Sequence, residues 1–137
     1  MSGILLDTHV FIWYVNGNNE INKRLQNVID SAIQSNSIYL AAISLWEISM
    51  LDVKQRIILE MPCLEWISRA IKELHIQILP ITPTIAVESA NLPGAFHGDT
   101  ADRLIVATAR AEGLALATRD KNILDYGKSK LLSAIRV

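Results

Sequence analysis

An α/β fold, a three-layer sandwich with helices on both faces of a central parallel sheet of four or five strands, is what this sequence predicts. Two patterns carry that expectation. Short segments that are apolar at nearly every position alternate along the chain with longer segments of helical periodicity. Strands of that kind are buried on both faces, as in a parallel sheet covered by helices. A third observation bounds the size. The 137 residues fit one compact domain, expected to span residues 1–137, and suffice for a core without staples.

Ile4–Leu6 reads as a short buried strand, followed by a helix over Thr8–Val15 that ends at Asn16, Gly17, Asn18 and Asn19. Residues 21–34 place Ile21, Leu25, Val28, Ile29, Ala32 and Ile33 at helical spacing. A second strand is expected at 38–42 and a helix at 44–51, where Ser44 and Glu47 match the S-x-x-E capping box. Pro62 opens a helix over Cys63–Leu74, with Leu64, Ile67, Ile71 and Leu74 on its apolar face. Gln77–Leu79 reads as a strand, 84–91 as a helix stopping before Pro93, and the loop with Gly94 and Gly98 leads to Asp99. The helix at 101–112 has Gly113 at its C′ position. A strand at 114–117 ends at Thr118, Arg119 and Asp120, and the tail 131–137 is expected to add an edge strand.

Half the residues are hydrophobic and the mean hydropathy is +0.26, yet no apolar run reaches the roughly 18 residues a membrane helix needs. The surplus points to burial against a second copy of the chain or a tight partner. The lone cysteine, Cys63, forms no internal disulfide and fits a reducing cytosol. Gly3–Leu6 is apolar, but no basic segment precedes it and Asp7 interrupts it, so no secretory signal is expected. A formal net charge of −1 is not the footprint of a protein held to nucleic acid by bulk charge.

In an open parallel sheet, ligands bind beyond the carboxyl ends of the strands. Asp7, Glu47 and Asp120 each follow a predicted strand, and Asp102 opens the helix that runs back to that edge. Each acid also has a local use. Asp7 caps the helix from Thr8, Glu47 completes the box with Ser44, Asp99 is a good N-cap with Asp102 at its third position, and Asp120 makes a turn before Lys121. Taken together, converging carboxylates repel one another and persist best with a cation between them. All-oxygen ligands select hard ions, Mg²⁺ or Mn²⁺. Such an ion activates water and stabilises a phosphoryl group in transfer, the chemistry of phosphodiester hydrolysis. Glu20, Asp30, Glu60, Glu65, Glu73, Glu88 and Glu112 fall on predicted helix surfaces or ends.

Leu5-Leu6-Asp7-Thr8-His9 resembles the first strand and first acid of PIN domains. Ser44-Leu45-Trp46-Glu47-Ile48 is similar to their second acidic motif, and the stretch from His97 through Asp99, Asp102 and Arg103 to Ala107 to the third, in the form common among VapC-like toxins. Thr118-Arg119-Asp120 resembles the fourth. No one motif is specific; the ordered set is. The resemblance implies a Rossmann-like sheet and a Mg²⁺- or Mn²⁺-dependent endoribonuclease that leaves a 3′-hydroxyl and a 5′-phosphate. It implies Asp7 and Asp102 as first choices for metal ligands. Glu47 would complete the site or orient the attacking water, Asp120 would bind a second metal or act through water, and Thr118 would support Asp120 or the metal shell. Asp102 is preferred to Asp99, the natural cap. The implied partners are an RNA substrate, a small inhibiting antitoxin and a second copy of the chain, in the cytoplasm and away from membranes. Two positions depart from the pattern. His9 stands where many members carry Asn or Ser, and Thr100 where proline is frequent.

Among the remaining side chains, Trp13, Trp46, Trp66 and Phe96 are expected to pack in the core, the first two alternatively in a partner groove. Arg103 is expected to pair with a neighbouring carboxylate, and Arg119 is a candidate for substrate phosphate. Lys121, Lys128, Lys130 and Arg136 make a basic stretch that is solvated or tracks RNA. His75, His97 and Cys63 lack zinc-like spacing. A haloacid-dehalogenase-like phosphatase needs an acid where His9 stands, and a receiver domain needs clustered acids early and a better match than Lys121 late. No Walker loop or G-x-G-x-x-G occurs. Within the resemblance, the alternatives are an RNA-processing nuclease without an antitoxin and a non-catalytic adaptor.

Overall fold

The computed structural model describes residues 3–137. Five strands form one sheet in the order β3-β2-β1-β4-β5, with every neighbouring pair parallel. The strands are β1 (Ile4–Leu6), β2 (Ile38–Ala41), β3 (Gln77–Leu79), β4 (Ala115–Thr118) and β5 (Ala134–Arg136). Among the described residues seven helices connect them: α1 (Thr8–Val15), α2 (Lys23–Gln34), α3 (Ala42–Val53), α4 (Cys63–Leu74), α5 (Pro83–Ala90), α6 (Thr100–Glu112) and α7 (Lys121–Gly127). The parallel sheet and the late edge strand agree with the sequence reading.

Side chains of a strand alternate between faces, and here the alternation divides the core in two. Ile4, Leu6, Ile38, Leu40 and Ala117 join Phe11, Leu25, Ile29 and Trp66 in one cluster. Leu5, Tyr39, Ala41 and Leu116 point the other way, into a cluster with Ile85, Phe96, Ile105, Val106 and Tyr126. Helices α1, α2 and α4 therefore cover one face of the sheet, and α5, α6 and α7 the other. Helix α3 reaches both, with Ile48 in the first cluster and Ile43 against the second. Because both faces are covered, the strands carry no polar alternation, which is why apolar runs announced them.

Several local expectations are corrected. Helix α3 starts at Ala42 directly from the strand, with Ala41 as an N-cap that has no side-chain bond. Ser44 is thus inside the helix, and the expected capping box with Glu47 does not form. On α3 the buried positions are Ser44 and Ile48. Trp46 stands about 200° from Ser44 around the axis and is exposed, not core. On α4 the inward residues are Trp66 and Ala70, while Leu64 is 77% exposed. Helix α7 was read as a turn. Asp30, Glu88 and Glu20 are not simply solvated acids: they bond Tyr14, Arg110 and Arg119 respectively. Trp66 and Phe96 are buried as expected, in opposite clusters.

Helix α6 begins and ends as its sequence dictates. The Asp99 side chain accepts from the Asp102 N–H at 2.9 Å, and Gly113 at φ 67° terminates it in the left-handed conformation. Phe11 is fully buried and meets the Trp66 ring edge-on at 5.6 Å. Phe11→Ala should cost about 3–5 kcal/mol in urea unfolding. Leu64→Ala, by contrast, should stay within about 0.5 kcal/mol of the parent.

Candidate active site

The strand order fixes where a cleft opens. From β1 the chain builds outward to β2 and β3, then returns to place β4 on the other side of β1. The switch point of this sheet lies between β1 and β4, where connections diverge and leave a crevice at the carboxyl ends. Leu6 pairs in register with Ala117, so Asp7 and Thr118 leave the sheet side by side. The Asp7 N–H donates to the Ala117 carbonyl at 2.9 Å, extending the ladder by one bond.

Asp7 sits at the bottom of that crevice. Its Oδ1 accepts from the Thr8 N–H at 2.9 Å, and its Oδ2 from the Thr118 hydroxyl at 2.7 Å. Thr118 is fully buried, and its oxygen in turn accepts from the Asp120 N–H at 3.0 Å. Asp120 then caps α7, its Oδ1 accepting from Ile123 N–H at 2.9 Å. One threonine thereby links the acid after β1 to the acid after β4. The expected caps at Asp7 and Asp99 form, Asp120 caps a helix where a turn was expected, and all three side chains face the cleft. Capping and cleft-lining are compatible, because a carboxylate has two oxygens and a cap uses one.

Glu47 is brought in by α3 and held by a residue that the sequence reading passed over. Thr8 Oγ1 lies 2.6 Å from Glu47 Oε1 and 2.8 Å from Ser44 Oγ. Thr8 and Ser44 are both buried. The hydroxyl of Thr8 donates to the carboxylate, so α1 and α3 are pinned together beside Asp7. The signal was present in retrospect: two small hydroxyl residues on apolar helix faces, Thr8 next to an acid and Ser44 one turn before another.

Together Asp7, Glu47, Asp99, Asp102 and Asp120 line one cleft of about 370 Å³, with His9, Val10, Trp13 and Arg119 completing its wall. A hollow of about 840 Å³ elsewhere on the molecule has no acid in its lining. The Asp102 carboxyl is pushed up to about 7 by burial and then by Asp99, Asp120, Asp7 and Glu47. Burial also raises Asp7, against the lowering effect of Thr118 and Thr8. Glu47 is raised by burial, with Asp7 and Asp99 adding to it and the Thr8 bond opposing. Asp102 is the acid on which the other four converge.

The donor set suits a hard divalent cation. It is all carboxylate, and the acids resist ionising together. No group of three or more His, Cys, Asp or Glu side chains closes into a ready-made cage among the described residues. An all-oxygen donor set suits Mg²⁺, which keeps several waters and leans on one or two carboxylates, better than zinc, whose structural sites use Cys and His.

Arg103 departs from expectation. It pairs with no carboxylate among the described residues. Its Nε donates to the Ser89 carbonyl at 2.8 Å and its Nη1 to the Phe96 carbonyl at 3.2 Å, tying the 91–99 loop to α5 and α6. Gly98 lets that loop lie close, since a Cβ there would come 2.6 Å from the Phe96 ring and 3.0 Å from Asp102 Cβ. Arg119 bonds the Glu20 carboxylate and carbonyl and lies 4.7 Å over the Trp13 ring. Trp13 is half-buried at the cleft, and His9 beside it is exposed.

A five-stranded parallel sheet with acids gathered at its switch point defines an α/β protein with an acidic cleft at the carboxyl ends of its strands. The PIN domain family model matches residues 4–129, and the chain belongs to that family. It is 35% identical over 127 residues to Ribonuclease VapC22 of Mycobacterium tuberculosis (strain ATCC 25618 / H37Rv), covering 92% of this chain and 93% of that one. Two crystal structures share the fold. One is VapBC2 from Rickettsia felis bound to a DNA fragment from its promoter, with TM-score 0.69 at 18% identity, covering 99% of this chain and 98% of the other. The second is FitAcB from Neisseria gonorrhoeae, with TM-score 0.65 at 24% identity and 96% of each chain covered.

Two outcomes are expected from this geometry. Unfolded, Asp102 ionises near 3.8; folded, near 7. Between those values the folded state holds more protons, so the stability of the metal-free protein falls as pH rises through the window. Its Tm should be higher at pH 5 than at pH 8. Asp102→Asn should raise the pH 8 value and flatten the profile; a profile that rises with pH would contradict the repulsion. Thr8→Val keeps the shape but leaves Glu47 and Ser44 without the hydroxyl, and should cost about 1–3 kcal/mol in denaturant titration, while Thr8→Ser should recover most of it.

Proposed function

We propose that this chain is a divalent-metal-dependent endoribonuclease, acting through Asp7, Glu47, Asp102 and Asp120, and that it is the toxin of a toxin–antitoxin pair. The observation that carries the reading is Asp102: burial, and then the four other carboxylates around it, push its carboxyl up to about 7, and bound positive charge offsets the part due to repulsion. Kinship with Ribonuclease VapC22 supports RNA as the substrate.

When bound, Mg²⁺ or Mn²⁺ supplies a water of lowered pKa and positive charge against the phosphoryl oxygens. Asp7 and Asp102 hold the cation, Asp7 with its orientation set by Thr118 and by the Thr8 N–H. Glu47, fixed by Thr8, orients the attacking water. Asp120 acts from the β4 side of the crevice through its free oxygen. Asp99 supports the start of α6 and adds negative charge to the cleft. Arg103 keeps the Asp99 loop in place without touching the acids. The products are a 3′-hydroxyl and a 5′-phosphate.

The protein partner is a small antitoxin that covers the cleft, and the chain pairs with a second copy of itself. Exposed Trp46, Val53, Ile58 and Leu64 support a surface that is covered in the cell. Solved relatives of the same fold include VapBC assemblies. Among the described residues no helix is long and apolar enough to cross a membrane; the cytoplasm is the proposed place of action.

RNA cleavage by the purified protein should require Mn²⁺ or Mg²⁺ and stop on adding EDTA. Asp7→Asn and Asp102→Asn should each abolish cutting while leaving the circular dichroism spectrum unchanged. Full activity in either variant overturns the assignment of that acid. No cutting and no metal bound by the parent protein would instead favour a non-catalytic adaptor.

A further inference from the structure

The acids explain how a phosphodiester is cut but not what holds the nucleotide beside it. A cleft lined by five carboxylates repels the rest of a polyanion. The other side of the same cleft is different in kind. His9 and Trp13 stand one helical turn apart on α1, so both face the opening. Their ring centroids are 5.9 Å apart at an interplanar angle of 49°. Trp13 is half-buried and braced by the Arg119 guanidinium 4.7 Å over its ring, itself tied to Glu20. His9 is exposed at the cleft mouth. The result is an aromatic surface, rigid behind and open in front, next to Asp7.

We infer that His9, backed by Trp13, is a stacking platform for the nucleobase adjoining the scissile phosphate. This rests on the ribonuclease reading. Bases present π-faces that stack on aromatic side chains regardless of sequence, and single-stranded RNA can splay a base out where a paired one is held within the duplex. With acids on the other walls, the His9–Trp13 side is where a base meets a matching surface. The ring at position 9 would then be a specificity-determining residue of this chain. The role belongs to the imidazole as a flat ring, not as a charge.

The test uses the full chain and short RNA oligonucleotides carrying 2-aminopurine at successive positions, in single-stranded and hairpin form, with Mn²⁺. Stacking quenches 2-aminopurine, so the parent protein should quench it at one position of the single strand and not in the hairpin stem. His9→Ala and His9→Asn should lose the quench and raise KM by roughly tenfold with kcat little changed, and bind Mn²⁺ as the parent does. His9→Phe should restore both quench and KM; His9→Lys should not. An active His9→Lys beside an inactive His9→Phe would overturn the platform in favour of a charge contact with phosphate, and unchanged quench and KM in His9→Ala would overturn any role for the residue. If the parent protein cuts no RNA, the nuclease reading fails on its own account, and the quench still decides whether His9 stacks a base.

Discussion

The hydrogen bond from Thr118 to Asp7 joins two strands that are separated by most of the chain but adjacent in the sheet. It lies where the strand order reverses, so the crevice and its first acid are created by the same topological fact. An aspartate buried at the end of β1 is expensive unless its oxygens are satisfied. Here one is met by the Thr8 N–H and the other by Thr118. Thr118 in turn accepts from the backbone of Asp120. The acid after β1 and the acid after β4 are held in a fixed relation before any ligand arrives.

Much of the surrounding structure keeps other acids near that pair without letting them relax apart. Thr8 ties Glu47 on α3 to the start of α1. Asp99 caps α6 and delivers Asp102 to the cleft. Arg103 spends its donors on the Ser89 and Phe96 carbonyls, fixing the loop that carries Asp99. The two apolar clusters make the platform stiff: both faces of the sheet are packed, so α1, α3 and α6 cannot drift to ease the repulsion. The raised pKa of Asp102 records first its burial and then the acids that the core holds close to it.

The sheet, its parallel sense and the four acids at its edge were legible in the sequence because each rests on local pattern. Apolar runs name buried strands, and topology then sends their carboxyl ends to one side. The caps at Asp99 and Gly113 were legible for the same reason. What was not legible depends on contacts between distant segments. Ser44 and Glu47 satisfy a capping pattern, but β2 runs straight into α3, so the helix starts two residues earlier and Ser44 turns inward to meet Thr8. Trp46 reads as core by its chemistry, yet it lies on the outer face of α3. Arg103 looks like a partner for the acids beside it in sequence, while its reach carries it to carbonyls of another segment. Helix α7 is only seven residues long, too short for its periodicity to stand out after Asp120.

The central claim is that mutual repulsion among these carboxylates is what a divalent cation relieves. Calorimetric titration of Mn²⁺ into the metal-free protein, repeated in buffers of different ionisation enthalpy, measures both the binding and the protons released with it. Proton release should accompany binding at pH 6 and fade by pH 8, as Asp102 passes from neutral to charged around its pKa of about 7. Binding without proton release at pH 6, or no binding by the folded protein, would contradict the account.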